Sequence, residues 1–258
     1  MRAGRPDDLH RLLSADTPTG PGGRTNVWFA AHDRAGTLDE YLLALDLAAG
    51  AAQAAPDRHG GLGAEMRYAL MRASVHTITN NLSPPLLRLL VEHGVWDVRR
   101  ALSHARRLAD PGTRHQALAG LVPHVPAEAR SAVVGEALRA AEAITDPYSR
   151  AVALTGLASC VPPDRAGVVV DLALRAAAAI TGEYLRAAAL ARLAPLRPVA
   201  EVLDAAFRAA VGVTDAYSRA NALTGLAPNL RADQLLPALQ AGGDIPPELA
   251  LRRGAAAG

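Results

Sequence analysis

The side chains best placed to do chemistry in this 258-residue sequence are eight histidines, one cysteine and a regularly spaced set of arginines. The histidines, at 10, 32, 59, 76, 93, 104, 115 and 124, form no HExxH and no Cys/His pattern, so their spacing marks no metal site. His32 adjoins Asp33 and His104 adjoins Ser103, pairs that suit a base and its partner only if the fold turns them towards each other. Adjacency in sequence does not supply that geometry. Cys160 precedes Pro162 with no charge beside it to favour the thiolate, and reads as a small buried hydrophobe. No pair of carboxylates stands out for acid–base work. The residues point to no catalytic set, no metal and no cofactor, and the chain reads as a non-enzyme.

The arginines differ because they recur. The stretch from Asp146 through Tyr148 and Arg150 to Leu157 returns as Asp215 through Tyr217 and Arg219 to Leu226. Looser copies surround Tyr184 and Arg186, and Asp110 and Arg114. Arg114, Arg150, Arg186 and Arg219 are 36, 36 and 33 residues apart, a period of stacked helix pairs. At 100° per residue, Arg150 falls in the apolar arc of Tyr148, Ala153, Leu154 and Leu157, with Ser149, Val152 and Thr155 opposite. A guanidinium there needs a partner, since an unpaired buried charge costs several kcal/mol. Two uses follow. The four arginines form a structural ladder, each bonding an aspartate (Asp110, Asp146 or Asp215) or helix carbonyls, or they line a ligand groove beside Tyr148, Tyr184 and Tyr217. The aspartates independently suit the helix N-cap.

The elements that must hold these residues are legible. Before each Asp/Gly comes Ala-Leu-x-x-Ala-x-x-(Leu/Ile/Val) or a close variant, over 101–108, 137–144, 173–180 and 206–213. After each arginine helix comes a proline-bearing turn, at Pro123, Pro162-Pro163, Pro195 and Pro228. Each unit is thus two antiparallel helices that cannot cover their own apolar faces, so neighbours must stack. The expectation is an all-α fold, a right-handed α-solenoid of HEAT/TPR-like helix pairs with repeats of about 33–36 residues. It divides as 1–36 irregular, 37–96 an N-terminal helical cap region, 97–245 repeats, and 246–258 a closing helix and tail.

Within the first part, Asp7 to Ser14 suits a short helix that Thr17 to Gly23 interrupts. Gly20 to Thr25 superficially resembles a phosphate loop, but lacks the lysine, a preceding strand and a directly following helix. Thr37-Leu38-Asp39-Glu40 has capping-box spacing and opens a helix to about Ala55. A second runs from Leu62 to about Leu82, with Leu70, Ser74 and Ile78 along one face. Ser83 and Pro84 begin a third, which ends at Gly94. Trp28, Phe29 and Trp96 are either core rings or an anchor for a partner peptide. Asp171–Arg175 and Asp204–Arg208 have the spacing of surface pairs.

Composition narrows the function classes. Half the chain is apolar but 3% is aromatic, so helices must pack closely on small side chains. All 27 basic residues are arginine, which reads as a GC-rich coding bias and leaves planar, permanently charged groups for carboxylate, phosphate or aromatic partners. The net charge of +2 and the absence of a like-charge block give no polyanion-binding tail. A single cysteine excludes an intramolecular disulfide and fits a reducing compartment. With no secretory leader pattern and no apolar run able to span a bilayer, the chain is expected to be soluble and cytoplasmic, with no membrane partner.

Leu62 to Leu70, Pro84 to Leu87, and Val91-Glu92-His93-Gly94-Val95-Trp96 are similar to the start of a helical repeat array in large bacterial proteins, notably STAND-type NTPases related to NACHT and NB-ARC proteins. The following Asp-x-Tyr-x-Arg-Ala-x-Ala-Leu units resemble their HEAT- or TPR-like repeats, over about residues 37–245. The NTPase motifs themselves are absent from the sequence. The resemblance implies a sensor or partner-binding arm. The chain is accordingly expected to be a non-enzymatic scaffold that binds a protein or peptide, the alternatives being an arginine-lined solenoid for nucleic acid and, last, an enzyme with a site assembled across helices.

Overall fold

The computed structural model describes residues 6–20, 23–59, 61–161, 163–196 and 200–243. Among these described residues the structure is helical apart from one two-stranded hairpin. The chain divides into two compact units, Met1–Val133 and Val134–Gly258, and the division falls inside one helix.

The first unit begins with α1 (Pro6–Ser14), the hairpin β1 (Asp16–Gly20) and β2 (Gly23–Asn26), and α2 (Val27–Ala35). The stretch expected to be irregular therefore carries two helices and a hairpin. Asn26 explains much of this. Its amide nitrogen donates to the carbonyls of Leu13 at 3.1 Å and Ala15 at 2.9 Å, closing the end of α1. Its carbonyl oxygen accepts from the Phe29 amide at 3.0 Å and caps α2. One side chain so satisfies orphan groups at two helix ends. The glycine-rich stretch is part of the hairpin: a strand does precede it, contrary to expectation, but a second strand follows it before any helix.

Next come α3 (Leu38–Ala54), the short α4 (Pro56–His59) and α5 (Gly61–Asn80). Leu13, Tyr41, Leu45, Ala52, Tyr68 and Val75 form the core between α1, α3 and α5, with Trp28 and Phe29 packed against it. The face of α5 that enters the core carries Ala64, Tyr68, Val75 and Thr79. Leu70, Ser74 and Ile78 are exposed, because α3 claims the other side of the helix.

The capping box expected at Thr37 does not form. The Thr37 hydroxyl lies 2.7 Å from His32 Nδ1, and the Leu38 amide is instead received by Ser103 Oγ at 3.2 Å. That serine belongs to α7 (Val98–Arg107), which follows α6 (Pro84–Glu92). Gly36, in the left-handed region with φ of 71°, turns the chain between α2 and α3 directly against the α7 backbone. α8 (Pro111–Leu121) then packs on both α6 and α7. α9 (Ala127–Glu142) contains the division between the units.

The second unit continues with α10 (Pro147–Ala158), α11 (Pro163–Ala178), α12 (Glu183–Leu193), α13 (Ala200–Val211), α14 (Ala216–Leu226) and α15 (Ala232–Gly243). Each of α10 to α15 touches the next, and α10, α12 and α14 also touch one another in sequence. Small side chains make this close approach possible: Ala151, Ala173, Ala177, Ala187, Ala206 and Ala210 are fully buried. Pro237 lies inside α15 without ending it. The closing helix expected over 246–258 lies outside the described residues.

Candidate functional site

The recurring arginines occupy one repeated geometry. Arg114, Arg150, Arg186 and Arg219 each donate from Nη1 to the carbonyl six residues earlier: Leu108 at 2.9 Å, Ile144 at 2.9 Å, Ile180 at 3.2 Å and Val213 at 3.1 Å. Those acceptors stand at the end of the preceding helix, and their own apolar side chains are buried. A cation at a helix C-terminus meets orphan carbonyls and the negative end of the macrodipole. Arg219 reaches further, donating from Nε to Ala241 of α15 at 2.8 Å. All four side chains are half-buried. Their charged ends are held by backbone, not by aspartates.

The aspartates serve the other side of the same connection. Asp110, Asp146 and Asp215 accept the amides of Thr113, Ser149 and Ser218, each at 2.7 Å, and so cap α8, α10 and α14. The Thr113 amide, and the hydroxyls and amides of Ser149 and Ser218, hold these carboxyls below the usual aspartate range. Gly182 has no side chain to offer, and α12 has no such cap. Three of the four connections thus join a buried aliphatic carbonyl, an aspartate cap and an arginine within seven residues, and the one before α12 has the carbonyl and the arginine without the cap. Tyr148 is half-buried, whereas Tyr184 and Tyr217 are exposed, so the tyrosines do not share one environment.

The histidine neighbours in sequence separate in space. Asp33 of α2 meets His104 of α7, not His32: His104 Nε2 donates to Asp33 Oδ1 at 2.7 Å. His104 Nδ1 lies 3.2 Å from Thr79 Oγ1 of α5, and Arg100 donates to the second Asp33 oxygen. Arg100 also lies 4.1 Å over the Trp96 ring, whose centroid is 5.1 Å from His104. Burial pushes the Asp33 carboxyl up, but the hydrogen bonds from His104 and Arg100 and the guanidinium charge outweigh it and hold the group low. Carboxylate, imidazole and hydroxyl stand in the order of a nucleophile triad. His104 and Thr79 are each 1% exposed, so the hydroxyl meets no solvent and the cluster works as a polar knot tying α2, α5 and α7. Sequence reasoning missed it because its members are 71 and 25 residues apart.

The three rings considered as anchors are engaged internally. Trp28 stands edge-on to His32 at 4.6 Å, Phe29 to Tyr41 at 5.5 Å, and Trp96 carries Arg100. Cys160, expected inside, is exposed: it follows the C-cap Ser159 of α10, past the last turn that faces the core. Asp204 turns to Arg231 at 3.0 Å and Gln234 at 2.7 Å, beside and within α15.

Apolar surface lies elsewhere. On α3 and α5, Leu43, Leu62 and Met66 are 59%, 72% and 58% exposed. They line two depressions of about 640 and 390 Å³ that share Asp46, Ala69 and Arg72, with Asp46 and Arg72 ion-paired across the groove. Leu47 and Leu70 on the same helices are exposed as well. Among the described residues no group of three or more His, Cys, Asp or Glu is arranged to hold a metal ion, and no helix is long and apolar enough to cross a membrane. The chain matches no protein-family model, no curated protein and no solved structure.

Proposed function

We propose that this protein is a non-enzymatic helical-repeat module that binds a protein or peptide along an exposed apolar groove. The observation that carries this is the α3–α5 surface, where Leu43, Leu62 and Met66 stand more than half exposed around the Asp46–Arg72 pair. Contiguous apolar surface flanked by charge suits the apolar face of an amphipathic helix. The α-solenoid reading is supported by the repeated connection at Arg114, Arg150, Arg186 and Arg219, and by the row of α10, α12 and α14. In this reading the chain acts as a partner-binding arm, the role its likeness to STAND-type repeat arrays suggests. The nucleic-acid alternative has less support, because the four periodic guanidinium groups already donate to backbone carbonyls.

The test is to pan a displayed peptide library against the purified protein and measure the affinity of what is enriched. Amphipathic helical peptides are expected, with binding lost in Leu43→Asp and Met66→Asp and kept in Arg150→Ala. Failure to enrich any saturable binder, or binding indifferent to both groove substitutions, overturns the proposal. A steep fall of affinity with salt for a bound oligonucleotide would favour the alternative.

A further inference from the structure

A different cavity, of about 410 Å³, opens in the first unit between α1, the hairpin, α2, α3 and α5. Its volume is in the range of small-molecule sites. The floor is apolar and buried, with Leu13, Tyr41 and Val75 at 1%, 1% and 3% exposure, and Phe29 and Met71 add aromatic and polarisable surface. The mouth is polar. Asp16, at the start of β1, and Arg67, on α5, both line it and both are exposed. Among the described residues neither charge is taken up in an ion pair, and the two are not paired with each other. The Tyr41 hydroxyl makes no hydrogen bond among the described residues, and Thr25, Asn26 and Ser74 add further polar groups to the lining.

Opposite charges left unpaired at the rim of an apolar pocket define a ligand that carries both complements on a short polar head. We infer that this cavity binds a free α-amino acid with a large apolar side chain. Arg67 receives the carboxylate through its planar fork, Asp16 the ammonium, and the Tyr41 hydroxyl donates to the carboxylate. The side chain enters between Phe29, Met71 and Val75, where an aromatic ring gains edge-to-face contacts. A neutral amphiphile would leave both charges unanswered, and a simple anion or cation would leave one. The inference goes beyond partner binding, since its polar groups lie outside the α3–α5 groove.

Calorimetric titration with L-phenylalanine tests it, beside 3-phenylpropionate, which lacks the ammonium, and phenethylamine, which lacks the carboxylate. Saturable binding of phenylalanine is expected, with each half-molecule weaker by about tenfold or more, the size of one lost charge-assisted hydrogen bond. Arg67→Gln and Asp16→Asn are expected to weaken phenylalanine by about as much. Both residues are exposed, so the melting temperature of the ligand-free variants should match the parent and separate lost binding from lost folding. Tyr41→Phe keeps the buried ring and should weaken binding by a smaller factor. No saturable binding of phenylalanine at millimolar concentration overturns the inference. So does equal affinity for either half-molecule, or binding unchanged in both charge variants.

Discussion

Arg150 shows how a charged residue comes to sit in an apolar arc. Its side chain is half-buried, and the guanidinium reaches the Ile144 carbonyl at 2.9 Å, beyond the last turn of the preceding helix. The interaction is charge-assisted but half-exposed, so solvent screens part of it. Arg150→Met keeps the stem and removes the donors. It is expected to cost about 1 kcal/mol in urea denaturation with helix content unchanged. Arg192→Met, at an exposed position, should fall within about 0.5 kcal/mol of the parent. Equal stability of the two variants would show that the carbonyl bond contributes nothing. The inward direction of Arg150 was legible from helical periodicity. Its acceptor was marked only by the constant six-residue interval from Leu108, Ile144, Ile180 and Val213, which has no meaning until both helix ends are located.

At the scale of elements, helix termini decide where chain segments go. Asp146 and Arg150 close the start of α10 and the end of the preceding helix from one connection, and Asn26 does both jobs alone between α1 and α2. Sequence spacing identified Ser83 as a cap because nothing competes for its hydroxyl, which accepts from Leu86 at 3.4 Å. The same logic failed at Thr37, where His32 takes the hydroxyl and Ser103, from 65 residues away, receives the helix amide. That long-range cap depends on Gly36 bringing α3 against α7. A Cβ at Gly36 would stand 2.6 Å from the Arg99 carbonyl carbon and oxygen, in a backbone conformation that L-residues disfavour. Gly36→Ala is therefore expected to destabilise by more than about 1 kcal/mol, read as a lowered thermal midpoint. An unchanged midpoint would mean that the α3–α7 approach is looser than described.

For the whole molecule, aspartates set the acid limit of stability. Asp97 is held low by the Arg99 amide and guanidinium, Asp110, Asp146 and Asp215 by amides and hydroxyls at helix starts, and Asp33 against its own burial by His104 and Arg100. A carboxyl whose pKa is depressed on folding binds its proton more readily in the unfolded chain. Its contribution is fully present above the unfolded value of about 3.8 and disappears as pH falls through the folded value. Urea titrations should find stability falling steeply below about pH 4. In Asp33→Asn the half-buried guanidinium of Arg100 loses its counter-charge, so stability should drop at neutral pH and the remaining acid dependence should flatten. Equal stability at pH 5 and pH 3 would contradict both statements.

The sequence by itself determined the helical elements, the repeated connections and the caps at Asp110, Asp146 and Asp215, because these depend on neighbours within a few residues and on a 3.6-residue period. Only the tertiary structure decided that Asp33 pairs with His104, that Ser103 caps α3, that Leu43 and Met66 stay in solvent, and that Asp16 and Arg67 share a cavity mouth. Those outcomes depend on which helix face another helix covers, and with half the chain apolar, periodicity alone offers several equivalent faces to cover.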